Sequence, residues 1–325
     1  MCSQLNIAHS AGTAEANSQR HCVAFNMKPS PMAQATSTSP AIRAHWGQRL
    51  FRSNLGGWLA ASVFVAVPFV AANILTKLLM PDDGLRDARN LIKTLVLVAA
   101  YWACVCWWER RAVRELSMSG AASELGAGLL LGGVLFAGVM AALAAFGIYS
   151  LDAVGSLGDL GAAATEMLPK IAAGAVIEEL LFRLLLLRLL ERSLGIAWAL
   201  AISSLLFGLA HLANAGATPL IGIMLGIELG LLFGAAYVLT RRIWLCTALH
   251  LSWNFVQGAV FSIAVSGHSG EGWLRGHLTG PTWLTGGAFG AEGSVVSLVL
   301  CLAASGLLLT LARRHKRFRL PARVL

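Results

Sequence analysis

"AVIEELLFRLLLL", residues 175–187, is apolar except for Glu178, Glu179 and Arg183. An ionisable side chain inside a bilayer costs at least about 2.5–3.5 kcal/mol on insertion scales. Three of them in one apolar run must face one another or a wet cavity. On a helix, residues four apart share a face, while neighbours diverge by about 100°. Glu179 and Arg183 have that spacing, with the acid first, the better order for an ion pair. The spacing predicts an internally neutralised Glu179–Arg183 pair and leaves Glu178 as a free carboxylate on a different face.

The rest of the chain supports the bilayer reading. Of 325 residues, 57% are hydrophobic and 13% charged, where a soluble domain carries about a quarter charged residues. The apolar residues come in runs rather than in alternation. The fold expected is all-α: a polytopic membrane protein of about eight transmembrane helices enclosing an intramembrane polar site. The expected spans are 57–80, 91–108, 125–147, 166–190, 196–214, 219–239, 243–265 and 294–312. Each is close to the ~20 residues that cross a bilayer core.

The net charge of +9 does not point to nucleic acid, because the basic residues sit at the ends of the apolar runs. Arg43, Arg49 and Arg52 precede the first span. Arg110, Arg111 and Arg114 follow the second, Arg188 and Arg192 the fourth, and Arg241 and Arg242 the sixth. "RRHKRFRLPAR" follows the last. The alternate connections 148–165 and 215–218 have no Lys or Arg, and 266–293 has only Arg275. "PDDGLRDARNLIK" is the exception, its three basic residues offset by three aspartates. The asymmetry places both termini in the cytoplasm of a multi-pass protein of the plasma (inner) membrane. The tryptophans lie largely near span ends or in the long loop, as interface anchors do.

Residues 1–45 are polar and rich in Ser, Thr and Ala. They predict a disordered tail, with Met27 or Met32 as alternative starts. Residues 46–314 then form the eight-helix domain, and 315–325 a basic cytoplasmic tail. Of six cysteines, Cys104, Cys106, Cys246 and Cys301 lie in apolar runs, while Cys2 and Cys22 lie in the tail. None forms a CxxC pair, and they read as small buried hydrophobes. Gly222, Gly226, Gly230 and Gly234 make a smooth stripe on the sixth span. Tight helix packing is the favoured reading and a substrate groove the alternative. The loop "GPTWLTGGAFGAEGS", 280–294, lacks phosphate-loop spacing and reads as an ordered outer loop.

Other polar residues also stand inside spans: His211 in "LLFGLAHLAN", and His250 with Asn254 in "LCTALHLSWN". His250 and Asn254 share a helix face, as do Phe207 and His211, which sets an aromatic wall beside the imidazole. A carboxylate, two imidazoles and a carboxamide from three helices suit hydrolysis. The carboxylate acts as general base on water, and a histidine holds that water or protonates the leaving amine. The second histidine and the amide N–H donate to the developing oxyanion. Span placement sets Glu178 and His250 near mid-membrane and His211 closer to the outer face. Glu228 is a fourth intramembrane acid, with a structural and a functional reading both open. Ser203, Ser204 and Ser252 read as packing residues.

The ordered motifs Glu178-Glu179-x-x-x-Arg183, Phe207-x-x-x-His211 and His250-x-x-x-Asn254 resemble the CPBP family. These are the CAAX prenyl protease and bacteriocin-processing (Abi) proteins, which are intramembrane glutamic endopeptidases. The resemblance spans residues 175–254, and the eight-helix plan is similar to bacterial members. It implies that Glu178 and His211 activate a water and that His250 and Asn254 stabilise the oxyanion. Glu179, Arg183 and Phe207 would be supporting residues. The substrate would be a peptide or membrane-protein tail, reached within the lipid bilayer, with no cofactor, metal or nucleic acid. Two alternatives remain at this level. One is a zinc protease ligated by Glu178, His211 and His250, although no HExxH is present. The other is a non-catalytic immunity or scaffold protein.

Overall fold

A computed structural model of the chain describes residues 54–318. The expected disordered tail 1–45, with its Arg43, Cys2 and Cys22, lies outside the described residues, as do Arg49, Arg52 and residues 319–325.

Long helices dominate. In chain order they are α1 (Asn54–Leu79), α2 (Arg86–Ala103), α3 (Ala121–Ala145), α4 (Leu157–Glu179), α5 (Arg188–Ala210), α6 (Pro219–Leu225), α7 (Leu231–Thr240), α8 (Trp244–Phe255), α9 (Thr282–Thr285) and α10 (Val295–Arg314). Several run on through a wider, π-type turn: Cys104–Trp108 after α2, Leu180–Leu187 between α4 and α5, Gly226–Gly230 between α6 and α7, and Val256–Val260 after α8. Such turns recur at functional positions.

Among the described residues, six helical segments are long and apolar enough to cross a membrane. The fourth and fifth expected spans form one segment, Leu157–Ala213. It is broken at Gly195, whose φ of 75° and ψ of 170° are not helical. Glycine has no Cβ to penalise that conformation. The seventh expected span becomes α8 and its π-type turn, residues 244–260, shorter than the expected 243–265.

The break at Gly195 folds the chain back on itself. Residues 178 and 211 would lie roughly 50 Å apart on one continuous helix, at 1.5 Å per residue. They are instead in contact, at 3.6 Å. Phe182 and Phe207 meet with ring centroids 5.3 Å apart. Both pairs are centred on residues 194–195, so α4 with its wide turn and the C-terminal part of α5 are the legs of a hairpin. This corrects the expected difference in depth. His211 lies level with Glu178, because the two stand equally far along the chain from the turn at residues 194–195.

The core is the Pro219–Thr240 segment, 78% buried, whereas the other five candidate spans are 17–39% buried. Its glycine stripe packs helices, as favoured. A Cβ on Gly226 or Gly230 would come within 2.7 Å of Ser204 O, and one on Gly208 within 1.9 Å of Gly222 O. A groove occupied by α5 backbone has no room for substrate. Ser203, Ser204 and Ser252 are buried in helix contacts, Ser252 Oγ donating to Leu129 O at 2.6 Å. Cys104, Cys246 and Cys301 are buried and Cys106 partly so, all four free.

A two-stranded antiparallel sheet was not anticipated. β1 (Tyr149–Val154) pairs with β2 (Leu274–Leu278) from Tyr149↔Leu278 to Val154↔Leu274, with a bulge between Leu151 and Ala153. It ties the two long connections poor in Lys and Arg to each other. The basic connections meet likewise. Arg188 and Arg192 both reach Glu109 at 2.7 Å, and Arg241 reaches Glu191 at 2.5 Å. Arg242 binds Glu124.

Candidate active site

The hairpin sets the first half of the site. Glu178 Oε2 faces His211 Nε2 at 3.6 Å. The other imidazole nitrogen, Nδ1, lies 2.8 Å from Phe207 O. A carbonyl only accepts, so Nδ1 carries the proton, and in the neutral ring Nε2 is an acceptor. Two acceptors at 3.6 Å are beyond direct hydrogen bonding. One water donating to each fits that gap. Glu178 Oε2 has no hydrogen-bond partner of its own among the described residues.

Helix α8 brings the second half. His250 Nδ1 lies 3.0 Å from Glu179 Oε1, and Arg183 Nε lies 2.9 Å from Glu179 Oε2. The sequence pairs Glu179 with Arg183 alone. In the structure it also orients His250, so each of the two adjacent acids faces a different histidine. Exposure separates them: the Glu178 side chain is 31% exposed, while those of Glu179 and Arg183 are fully buried. The Arg183 contact is an ion pair rather than an aligned hydrogen bond, its N–H groups finding no oriented acceptor among the described residues. Two aromatic faces take up the cation instead, with Arg183 Cζ 4.8 Å from the Phe207 centroid and 5.7 Å from that of Phe233. Those contacts and the carboxylate together offset part of the desolvation of a buried guanidinium.

Phe207 also packs on His211, with centroids 4.8 Å apart, and Phe233 stacks on His250 at 4.5 Å and 18°. Asn254 lies one turn beyond His250 on the same face of α8, partly buried and without a side-chain hydrogen bond among the described residues. The structure thus brings Glu178, Glu179, Arg183, Phe207, His211 and His250 into one contact network, with Asn254 adjoining it.

Two features escape the sequence reading. Phe233 is one, since an aromatic in an apolar helix carries no signal of what it stacks on. Glu292 is the other, in the loop that was given no functional role. It is fully buried. It accepts from Ser266 N at 2.6 Å, Ser266 Oγ at 2.7 Å and Trp253 Nε1 at 3.4 Å. Burial raises its pKa above the usual carboxylate value, and the hydrogen bonds from Ser266 oppose this. Glu228 is likewise buried. It accepts from Ser297 Oγ of α10, with Cys301 Sγ 3.8 Å away, which gives it a cross-helix partner. Among the described residues no three His, Cys, Asp or Glu side chains converge as a metal-ligand set.

Residues 161–256 match the family described as type II CAAX prenyl endopeptidase Rce1-like. The matched stretch contains all seven motif residues and runs from within α4 to just past α8. It is the family that the three motifs resemble, and it points to a CAAX-type intramembrane protease. No curated protein and no solved structure matches the chain.

Proposed function

We propose, for a chain carrying the Rce1-like segment, that it is a metal-independent intramembrane glutamate endopeptidase acting on a peptide or membrane-protein tail. The observation that carries this reading is the Glu178 Oε2–His211 Nε2 separation of 3.6 Å. It rests on an imidazole whose other nitrogen is committed to Phe207 O. Water held between the two gives up a proton to Glu178 as its oxygen attacks the scissile carbonyl. The protonated acid then returns the proton to the leaving amine, with His211 orienting the donor. His250 has turned Nδ1 to Glu179, so Nε2 is the edge it presents to substrate. As an imidazolium, with Nδ1 donating to the Glu179 carboxylate, it donates from Nε2 and, with the Asn254 carboxamide, steadies the tetrahedral oxyanion. Glu179 and Arg183 are positioning residues that act through His250.

The same reading sets the orientation. The basic connections gathered at one end of the bundle face the cytoplasm of a plasma (inner) membrane, by the positive-inside bias. Both termini then lie on that side.

The test is hydrolysis of a prenylated CAAX-type peptide by the purified full-length protein in proteoliposomes, before and after exhaustive chelation. Full activity after chelation is the expected result. Loss with phenanthroline and recovery with zinc would establish a zinc protease instead. Peptide binding without hydrolysis would favour a scaffold.

A further inference from the structure

At the basic end of the bundle the connections enclose a cleft of about 990 Å³. Its walls carry Arg111, Arg114, Arg192, Arg241, Arg242 and Arg317, with His315, against only two carboxylates, Glu115 and Glu124. Glu109 and Glu191 add two acids from behind, bound to Arg111, Arg192 and Arg241. Arg188 also binds Glu109 and lies beside Glu115, so seven arginines meet four acids and three positive charges are left over. The Arg114 and Arg317 side chains have no ion pair among the described residues.

Orientation in the membrane needs basic residues only on one flank. It does not need them on the walls of one concavity, where like charges raise the local potential. A guanidinium fork matches phosphate oxygens in a bidentate geometry, and this excess is enough to balance a phosphate dianion or a pair of phosphodiesters. The volume lies within the range of small-ligand sites, about 300–1,000 Å³. The cleft also stands where the spans end: it is lined by Ser117, whose carbonyl accepts from Trp244 Nε1, and by His315 just past α10, positions that the interface-anchor pattern assigns to the headgroup region. We propose that this cleft is a phosphate-binding site, filled by the headgroup of an anionic phospholipid or by a soluble phosphate-bearing anion. The site is separate from the Glu178–His211 pair, and the proposal stands whether or not the protein is a peptidase.

The experiment is thermal stability of the full-length protein in a neutral detergent. It is titrated with phosphatidylglycerol, with phosphatidylcholine of the same chain length, and with pyrophosphate. The Arg114→Gln/Arg317→Gln variant is measured beside the wild type. Neither side chain has a partner to lose, so the variant starts from the wild-type baseline. The expected result is stabilisation of the wild type by phosphatidylglycerol or pyrophosphate, but not by phosphatidylcholine. The double variant should need roughly thirty-fold more ligand, the cumulative effect of losing two cations near an anionic group. Stabilisation by phosphatidylglycerol alone identifies the headgroup as the ligand, and stabilisation by pyrophosphate identifies a soluble anion. No stabilisation by either, or equal response of wild type and variant, overturns the proposal.

Discussion

At the residue scale, the two adjacent glutamates divide the work by the faces they occupy. Glu179 is buried between Arg183 and His250. Glu179→Gln leaves a buried guanidinium without its counter-charge, and breaking such a pair costs roughly 3–5 kcal/mol. The expected outcome is a lower melting temperature in detergent together with lost turnover. An unchanged melting temperature would show that the pair does not stabilise the fold. Asn254→Ala should behave differently, keeping stability and KM while lowering kcat by about 10²–10³, the scale of one oxyanion donor. Wild-type kcat in that variant would remove Asn254 from the mechanism. The Glu179–Arg183 pair was legible in the sequence because both partners sit on one helix, where spacing alone fixes the face. The Glu179–His250 bond was not, since its partners are 71 residues apart. Helical periodicity does not say which acid a second helix meets. Glu292 was less legible still, a single acid in a glycine-rich loop whose burial depends on how that loop folds inward.

At the element scale, the hairpin broken at Gly195 is what makes the site. The leg that carries His211 is held in place by the close approach of α5 to α6. A methyl group at position 208 would sit 1.9 Å from Gly222 O. Gly208→Ala should therefore cost about 1–3 kcal/mol of stability and move His211, three residues on, away from Glu178. Melting temperature and turnover should fall together, and a variant with both at wild-type values would refute the packing argument. Glu109 anchors the other end of the hairpin, lying just beyond α2. Burial works to raise its pKa, but hydrogen bonds and charge from Arg188, Arg111 and Arg192 overcome this and hold it at about 2. A depressed carboxylate contributes stability that is present above its unfolded value and lost as pH falls toward the folded one. The stability gap between wild type and Glu109→Gln should be full at pH 6 and close as pH drops from about 4.5 to 2. A gap independent of pH would contradict the network. Helix-forming runs were readable from hydropathy, but their ends were not. Gly195 reads as an ordinary glycine between two apolar runs, and only its backbone angles show the reversal.

At the scale of the whole molecule, the charge asymmetry of the connections predicts orientation. Single cysteines at Ser269 and His315, in a cysteine-free background, report it. Impermeant reagent on intact cells should label position 269 and spare position 315, and the reverse pattern would invert the protein in the membrane. Gathering of the basic connections at one end was legible in sequence, because alternation along a multi-pass chain assigns them to one side. The β1–β2 pairing of the opposite connections was not, as two short segments more than a hundred residues apart carry no mark of their register. The account depends most on Glu178 as the base, and Glu178→Gln tests it most directly. The substitution keeps the shape of the side chain, removes the proton acceptor, and falls on a partly exposed residue that no ion pair to arginine depends on. Melting temperature and peptide turnover are measured on the same preparation. The account predicts a wild-type melting temperature with no detectable hydrolysis, and a Glu178→Gln protein that still cleaves at the wild-type rate would contradict it.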